Sequence, residues 1–173
     1  MAQEKGLEAA LVFVENCGFA GRTVGEVMSG IVSKCIGAPK AKTKDLAVQI
    51  SLMYIEIEKH EMVMEELIKG MENKNPKIGA ACIATTTLAL REFGSKVIAV
   101  KPIVKKIATL LSDRDKNVRD EAKSLTIEIY RWIGAALKTQ LTSVADVLMK
   151  ELDAEFDKMK NEKPEPTRYL RSQ

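Results

Sequence analysis

Three short basic stretches, each set between runs with helical spacing, constrain this chain more than any other feature. They read GAPKAKTKD (37–45), ENKNPKI (72–78) and LLSDRDKNVRDEAK (110–123), roughly 35 to 42 residues apart. Between them apolar residues recur on one helix face. Leu46, Ile50, Tyr54 and Ile57 form one stripe, Val97, Val100, Val104, Ile107 and Leu111 a second, and Ala122, Leu125, Ile129, Trp132 and Ala136 a third. Strand-like alternation is nearly absent. The spacing predicts helices near 3–16, 21–36, 44–58, 60–71, 76–93, 96–112, 117–137 and 143–160, with a bend or broken start at Pro102.

The connections alternate. Those at 37–43, 73–75 and 113–116 are rich in Lys, Arg and Asn, whereas those at NCGFAG, KH and FGS are short or marked by Gly. Helix, basic turn, helix is then the repeating unit, at nearly the period of HEAT and armadillo repeats. Such units stack through their apolar faces and place equivalent turns along one edge. An all-α HEAT-type solenoid is the expected fold, and the basic turns become one ridge. Residues 1–161 are expected to form the repeat domain. The tail NEKPEPTRYLRSQ, with two prolines and no helical period, reads as an extended linker over 162–173. GLEAALVFVENC looks like the second helix of a pair, so a solenoid truncated at its N-terminal end is expected.

Composition supports this class. Hydrophobic residues make up 46% and aromatics 5%, with the weight in Ala, Leu, Ile, Val and Met. Cys17, Cys35 and Cys82 lie in apolar runs without paired spacing and read as reduced, buried thiols of an intracellular protein. Catalytic and cofactor motifs are missing, so no enzyme, cofactor or metal is expected. The one histidine, His60, reads as solvated or capping. The threonines of ATTTLAL are expected to bond back to the preceding helical turn. The basic turns carry no aromatics for stacking and the net charge is only +3, which disfavours nucleic acid. No basic amphipathic segment suggests a membrane.

An acidic protein surface remains as partner. Each basic turn feeds a helix N-terminus, whose unpaired N–H groups and partial positive charge already attract anions. Asn75 is the expected N-cap of one helix, with Pro76 at its first position; Asn117 and Thr43 are the expected caps of two others. Lysines around such ends cost a little stability unless an acidic partner offsets them.

Several stretches, GLEAALVFVEN, LMYIEIEK, NKNPKI, LREFGSK, RDKNVRDEAK, EIYRWI and PTRYLRSQ, together resemble the first TOG domain of a microtubule-polymerase family, the one that includes Mini spindles and the colonic and hepatic tumour overexpressed protein. The resemblance runs over essentially the whole chain. It implies a HEAT-repeat paddle, monomeric and non-enzymatic, whose intra-repeat turns bind the αβ-tubulin heterodimer in the cytoplasm, on microtubules, spindles, centrosomes and kinetochores. By that resemblance, Lys40 and Lys42 belong to the third binding turn and Lys74, Asn75 and Lys77 to the fourth. Arg114, Lys116, Asn117 and Arg119 belong to the fifth, where Lys116 is the strongest candidate and Arg119 has the competing role of a structural ion pair. The exposed tryptophan of the family's first turn has no counterpart here, since Trp132 lies on a core-facing stripe. The alternative is a HEAT-type adaptor for another acidic protein.

Overall fold

A computed structural model describes residues 2–172. Among them all regular structure is helical. Eight α-helices follow in order: α1 (Ala2–Asn16), α2 (Val24–Gly30), α3 (Ala41–Tyr54), α4 (His60–Met71), α5 (Pro76–Phe93), α6 (Val100–Leu111), α7 (Lys116–Ile133) and α8 (Asp146–Lys158). Short 3-10 or π stretches extend α2, α3 and α7: Ala20–Thr23 and Ile31–Cys35 flank α2, Ile55–Lys59 follows α3, and Gly134–Gln140 follows α7.

The architecture is the expected HEAT-type paddle. Helices α2, α4, α6 and α8 are the first members of successive pairs, and α3, α5 and α7 the second, with α1 in the position of a second helix. In contact are α1 with α3, α5 with α7, α2 with α4, and each of α4, α6 and α8 with the second-helix layer. Ile50, Tyr54, Ile83, Leu90, Ile107, Leu125 and Ile129 are buried between the layers. Thr85, Thr86 and Thr87 donate their hydroxyls to the carbonyls of Ala81, Cys82 and Ile83, so buried threonines sit in α5 without an orphaned polar group.

Several helix ends fall elsewhere than the spacing suggests. α6 begins at Val100, not at 96, and Pro102 sits in its first turn, where no helical hydrogen bond is lost and no bend is needed. α7 stops at Ile133 because Gly134 takes φ +63, so Ala136 is exposed and Leu137 is buried in its place. Trp132 is half-buried: its indole lies on Gly94 (φ +78) and donates to Glu128 Oε1 at 3.0 Å. Glu128 is buried and also receives Arg91 at 3.2 Å, which ties α5 to α7. His60 is neither solvated nor a cap. It is the first residue of α4, half-buried, and its Nδ1 is shielded without a hydrogen-bond partner.

After α8 the chain runs extended and lies back along the edge formed by the ends of α5, α3 and α1. Thr167 and Arg168 donate backbone N–H groups to the Glu92 carbonyl, and Arg171 donates its own to that of Glu56. The Arg168 guanidinium bridges Glu56 (2.8 Å) and Glu92 (3.1 Å) and stands 5.2 Å from the centre of the Phe93 ring. Arg171 reaches the Glu15 carbonyl at 2.6 Å.

Candidate protein-binding ridge

The second and third basic turns are built by one device. Asn73 Oδ1 accepts the Asn75 N–H at 2.9 Å, and Asp113 Oδ1 accepts the Asp115 N–H at 2.8 Å. Each closes a small side-chain turn that leaves the middle residue, Lys74 or Arg114, pointing off the corner. The next helix is then capped. Asn75 Oδ1 accepts from Lys77 N at 3.1 Å, as expected, with Pro76 as first helical residue. In the third turn the cap is Asp115, not Asn117: its Oδ1 accepts the N–H groups of Asn117 (2.8 Å) and Val118 (3.3 Å). Aspartate adds its charge to the positive helix end, so it outcompetes an asparagine two residues on.

The first turn is different. α3 starts at Ala41 after Lys40, which caps with backbone geometry alone, and Thr43 is buried inside the first helical turn instead of capping it. Thr43 is the third residue of its helix, the place that Ile78 and Val118 hold in α5 and α7.

Glycines set the turns close together. A Cβ on Gly37 would lie 2.9 Å from Ile78 Cγ1 and 3.1 Å from its backbone N, so only glycine lets the first turn meet the start of α5. A Cβ on Gly79 would lie 3.0 Å from the Met71 carbonyl and 3.8 Å from Val118 Cγ2, at the junction of the second unit with the third. Lys74 and Arg114 consequently line one cleft of about 340 Å³ between their turns. Lys44, Lys77 and Asn117 line the mouth of a second groove, between α3 and α5. The turns expected to form a row do form one.

The nine residues singled out in the sequence stand in this ridge in different states. Lys74, Lys77 and Arg114 are exposed and have no side-chain hydrogen bond or ion pair among the described residues. Lys116 is exposed but pairs with Asp120 at 2.6 Å, which holds the Asp120 carboxyl below its usual pKa. An exposed i,i+4 pair of this kind is worth little and exchanges readily for another anion. Lys40 and Lys42 lean towards α1, pairing with Glu4 (3.4 Å) and Glu8; the Glu8 hydrogen bond and charge raise the Lys42 pKa. Asn75 spends its carbonyl on the cap, while Asn117 is exposed with its side chain unengaged. Arg119 is half-buried, and its Nη1 donates to the carbonyls of Asp113 (2.7 Å) and Arg114 (3.0 Å). It braces the turn by its carbonyls, not by an acid of the next repeat. Lys44 was not among the nine; its place four residues after the Lys40 cap position, on the groove side of α3, was the signal.

The ridge therefore offers cations along one edge, of which Lys74, Lys77 and Arg114 make no ion pair among the described residues, and no group for bond chemistry. Among the described residues no cluster of His, Cys, Asp or Glu could hold a metal ion, and no helix is long and apolar enough to cross a membrane.

Known proteins resemble this chain in sequence and fold. Over its full length the chain is 69% identical to Protein mini spindles of Drosophila melanogaster and 34% identical to Centrosomal protein 224 of Dictyostelium discoideum, spanning 8% and 9% of their lengths. The solved structure of Drosophila melanogaster Mini spindles TOG3 superposes with a TM-score of 0.84 at 24% identity, over 95% of this chain and 72% of that one. The family model XMAP215/Dis1/CLASP, TOG domain, matches residues 1–156. The chain belongs to the XMAP215/Dis1/CLASP family of TOG domains.

Proposed function

We propose that this chain is the greater part of the first TOG domain of a microtubule polymerase and that its basic ridge binds the αβ-tubulin heterodimer. The module breaks and makes no bond; it holds tubulin for delivery to growing microtubule ends, in the cytoplasm and at spindles and centrosomes. The observation that carries this reading is the row of exposed cations that two successive turns present, Lys74 and Lys77 from one and Arg114 and Lys116 from the next, with Lys74 and Arg114 lining one cleft between them. A solved relative with the same fold comes from a study of tubulin recruitment by TOG domain arrays, and other relatives are named for the spindle, centrosome and spindle pole body.

In the whole protein, a further repeat packs against α1. Val12 and Phe13 of α1 stand exposed and Phe19 follows at 67% exposure, apolar surface that such a repeat would take out of water. That repeat extends the ridge, so these 173 residues alone bind tubulin weakly. The test is a titration of labelled soluble tubulin with this chain and with a longer stretch that includes the preceding repeat. The longer protein binds markedly tighter if the reading holds. Equal affinities would show that the ridge described here is the complete site, and absence of binding by both would overturn the tubulin reading.

A further inference from the structure

On the first-helix face, away from the ridge, α4 and α6 do not close against each other. A groove of about 570 Å³ runs between them, with Met64, Ile68, Val97, Ala99 and Pro102 as its apolar surface. It continues past Ile68 and Pro102 to Thr109. On the α4 side it is lined at His60, Met64, Ile68 and Glu72, four successive turns of one helix face and about 18 Å of length.

The unpaired charges on its two walls are sorted by sign, the one lysine on the α4 wall, Lys69, being paired with Glu66 of its own helix at 3.8 Å. Glu61 and Glu65 stand on the α4 wall, exposed and without an ion pair among the described residues. The α6 wall carries Lys101 and Lys105, also exposed and unpaired, and α6 contains no acidic residue. One cross-groove pair, Lys106–Glu72 at 2.6 Å, ties the walls together. α6 also opens without a side-chain cap, because its cap position is Ala99, so acceptors are missing where the groove meets its N-terminus.

We infer that this groove is a second protein-binding site, separate from the ridge, whose occupant is an amphipathic helix with an apolar stripe flanked by acidic residues on one side and basic residues on the other. Both walls are helices whose interior backbone groups are already paired. An extended peptide would find no ladder to join and would bury its own amides unpaired, whereas a helix brings its hydrogen bonds with it. Acidic side chains of that helix meet Lys101 and Lys105; basic ones meet Glu61 and Glu65. Because the two flanks differ in sign, the charges also fix which way the helix runs.

The test uses an alanine-based helical peptide of about 16 residues with a leucine stripe, glutamates down one flank and lysines down the other. A second peptide has lysines on both flanks. The mixed peptide is expected to bind with a dissociation constant on the order of 100 µM and to shift the NMR signals of Ile68, Val97 and Ala99. Lys101→Glu with Lys105→Glu should weaken it about tenfold and reverse the preference in favour of the lysine-only peptide, while leaving tubulin binding by the longer protein unchanged. Ala99→Trp, at an exposed position, should fill the groove and abolish binding with the fold intact by circular dichroism. Signal shifts elsewhere, binding indifferent to the charge reversal, or no binding at millimolar peptide would each overturn the proposal. So would concentration-dependent self-association lost on Ala99→Trp, since the occupant would then be a second copy of this chain.

Discussion

Lys74 and Arg114 hold the same place in two successive turns, each the middle residue between two Asx side chains, and together they line a single cleft. The turn chemistry produces this equivalence. Asn73 and Asp113 fold the corner, Asn75 and Asp115 start the next helix, and the residue between is left with nothing to do but face outwards.

The helix caps have measurable consequences for stability. Asp115 Oδ1 accepts from two backbone N–H groups at the start of α7. Asp115→Ala should lower stability by about 1 kcal/mol and Asp115→Asn by less, whereas Asn117→Ala should leave it within about 0.5 kcal/mol. Urea denaturation reads all three. A larger loss for Asn117→Ala would return the cap to that residue.

The extended tail contributes to the fold's stability. Arg168 is mostly buried and joins Glu56 to Glu92, two residues at the ends of different helices. Arg168→Ala leaves both carboxylates without their main partner and should cost about 2 kcal/mol. Hydrogen exchange should quicken near Glu56 and Glu92 but not in the ridge turns. Unchanged exchange at the α5 end would mean that the tail is only laid on the surface.

Two glycines should respond in opposite directions. Gly37→Ala drives a methyl into Ile78 and should destabilise by about 1–3 kcal/mol, opening the row of turns. Gly6 lies in α1 with nothing within 4 Å of an added Cβ. Gly6→Ala should therefore stabilise by about 0.5–1 kcal/mol. Thermal unfolding of the two variants side by side checks both signs.

Burial pushes the Cys82 thiol up to about 12 from an ordinary value of 9.0. The folded state keeps that proton while the unfolded chain loses it near 9, so the stability it confers is complete below about pH 9 and falls as pH rises towards 12. At pH 8 a thiol reagent should modify the half-buried Cys17 and leave Cys82 untouched until the chain unfolds. Rapid labelling of Cys82 in native buffer would contradict its burial.

The helices and the ridge were legible because they follow from periodicity: apolar stripes such as Ile50–Tyr54 and Leu125–Ile129 repeat at the helical period, and basic turns repeat at the unit period. What was not legible depends on single contacts. Asp115 and Asn117 are both good caps by composition, and the aspartate's charge together with the backbone register decides between them. Lys40 and Lys42 looked free in the sequence, yet Glu4 and Glu8 of α1 reach them across a helix interface. The same applies to Arg119, whose carbonyl acceptors lie five and six residues behind it. The tail gave no sign of docking, because its acidic partners at Glu56 and Glu92 are far away in sequence and carry no pattern.

Contact between the ridge cations and tubulin, as proposed, is tested by a titration of soluble αβ-tubulin with the longer protein, comparing it with its Lys74→Ala, Arg114→Ala double variant at two ionic strengths. These two cations are chosen because neither makes an ion pair among the described residues, unlike Lys116, which pairs with Asp120. The variant should lose at least tenfold in affinity, about 1.4 kcal/mol, and show a shallower salt dependence, since screened charge pairs have been removed. Equal affinity and an unchanged salt slope would contradict that contact, and would leave the cleft between these turns as mere solvated surface.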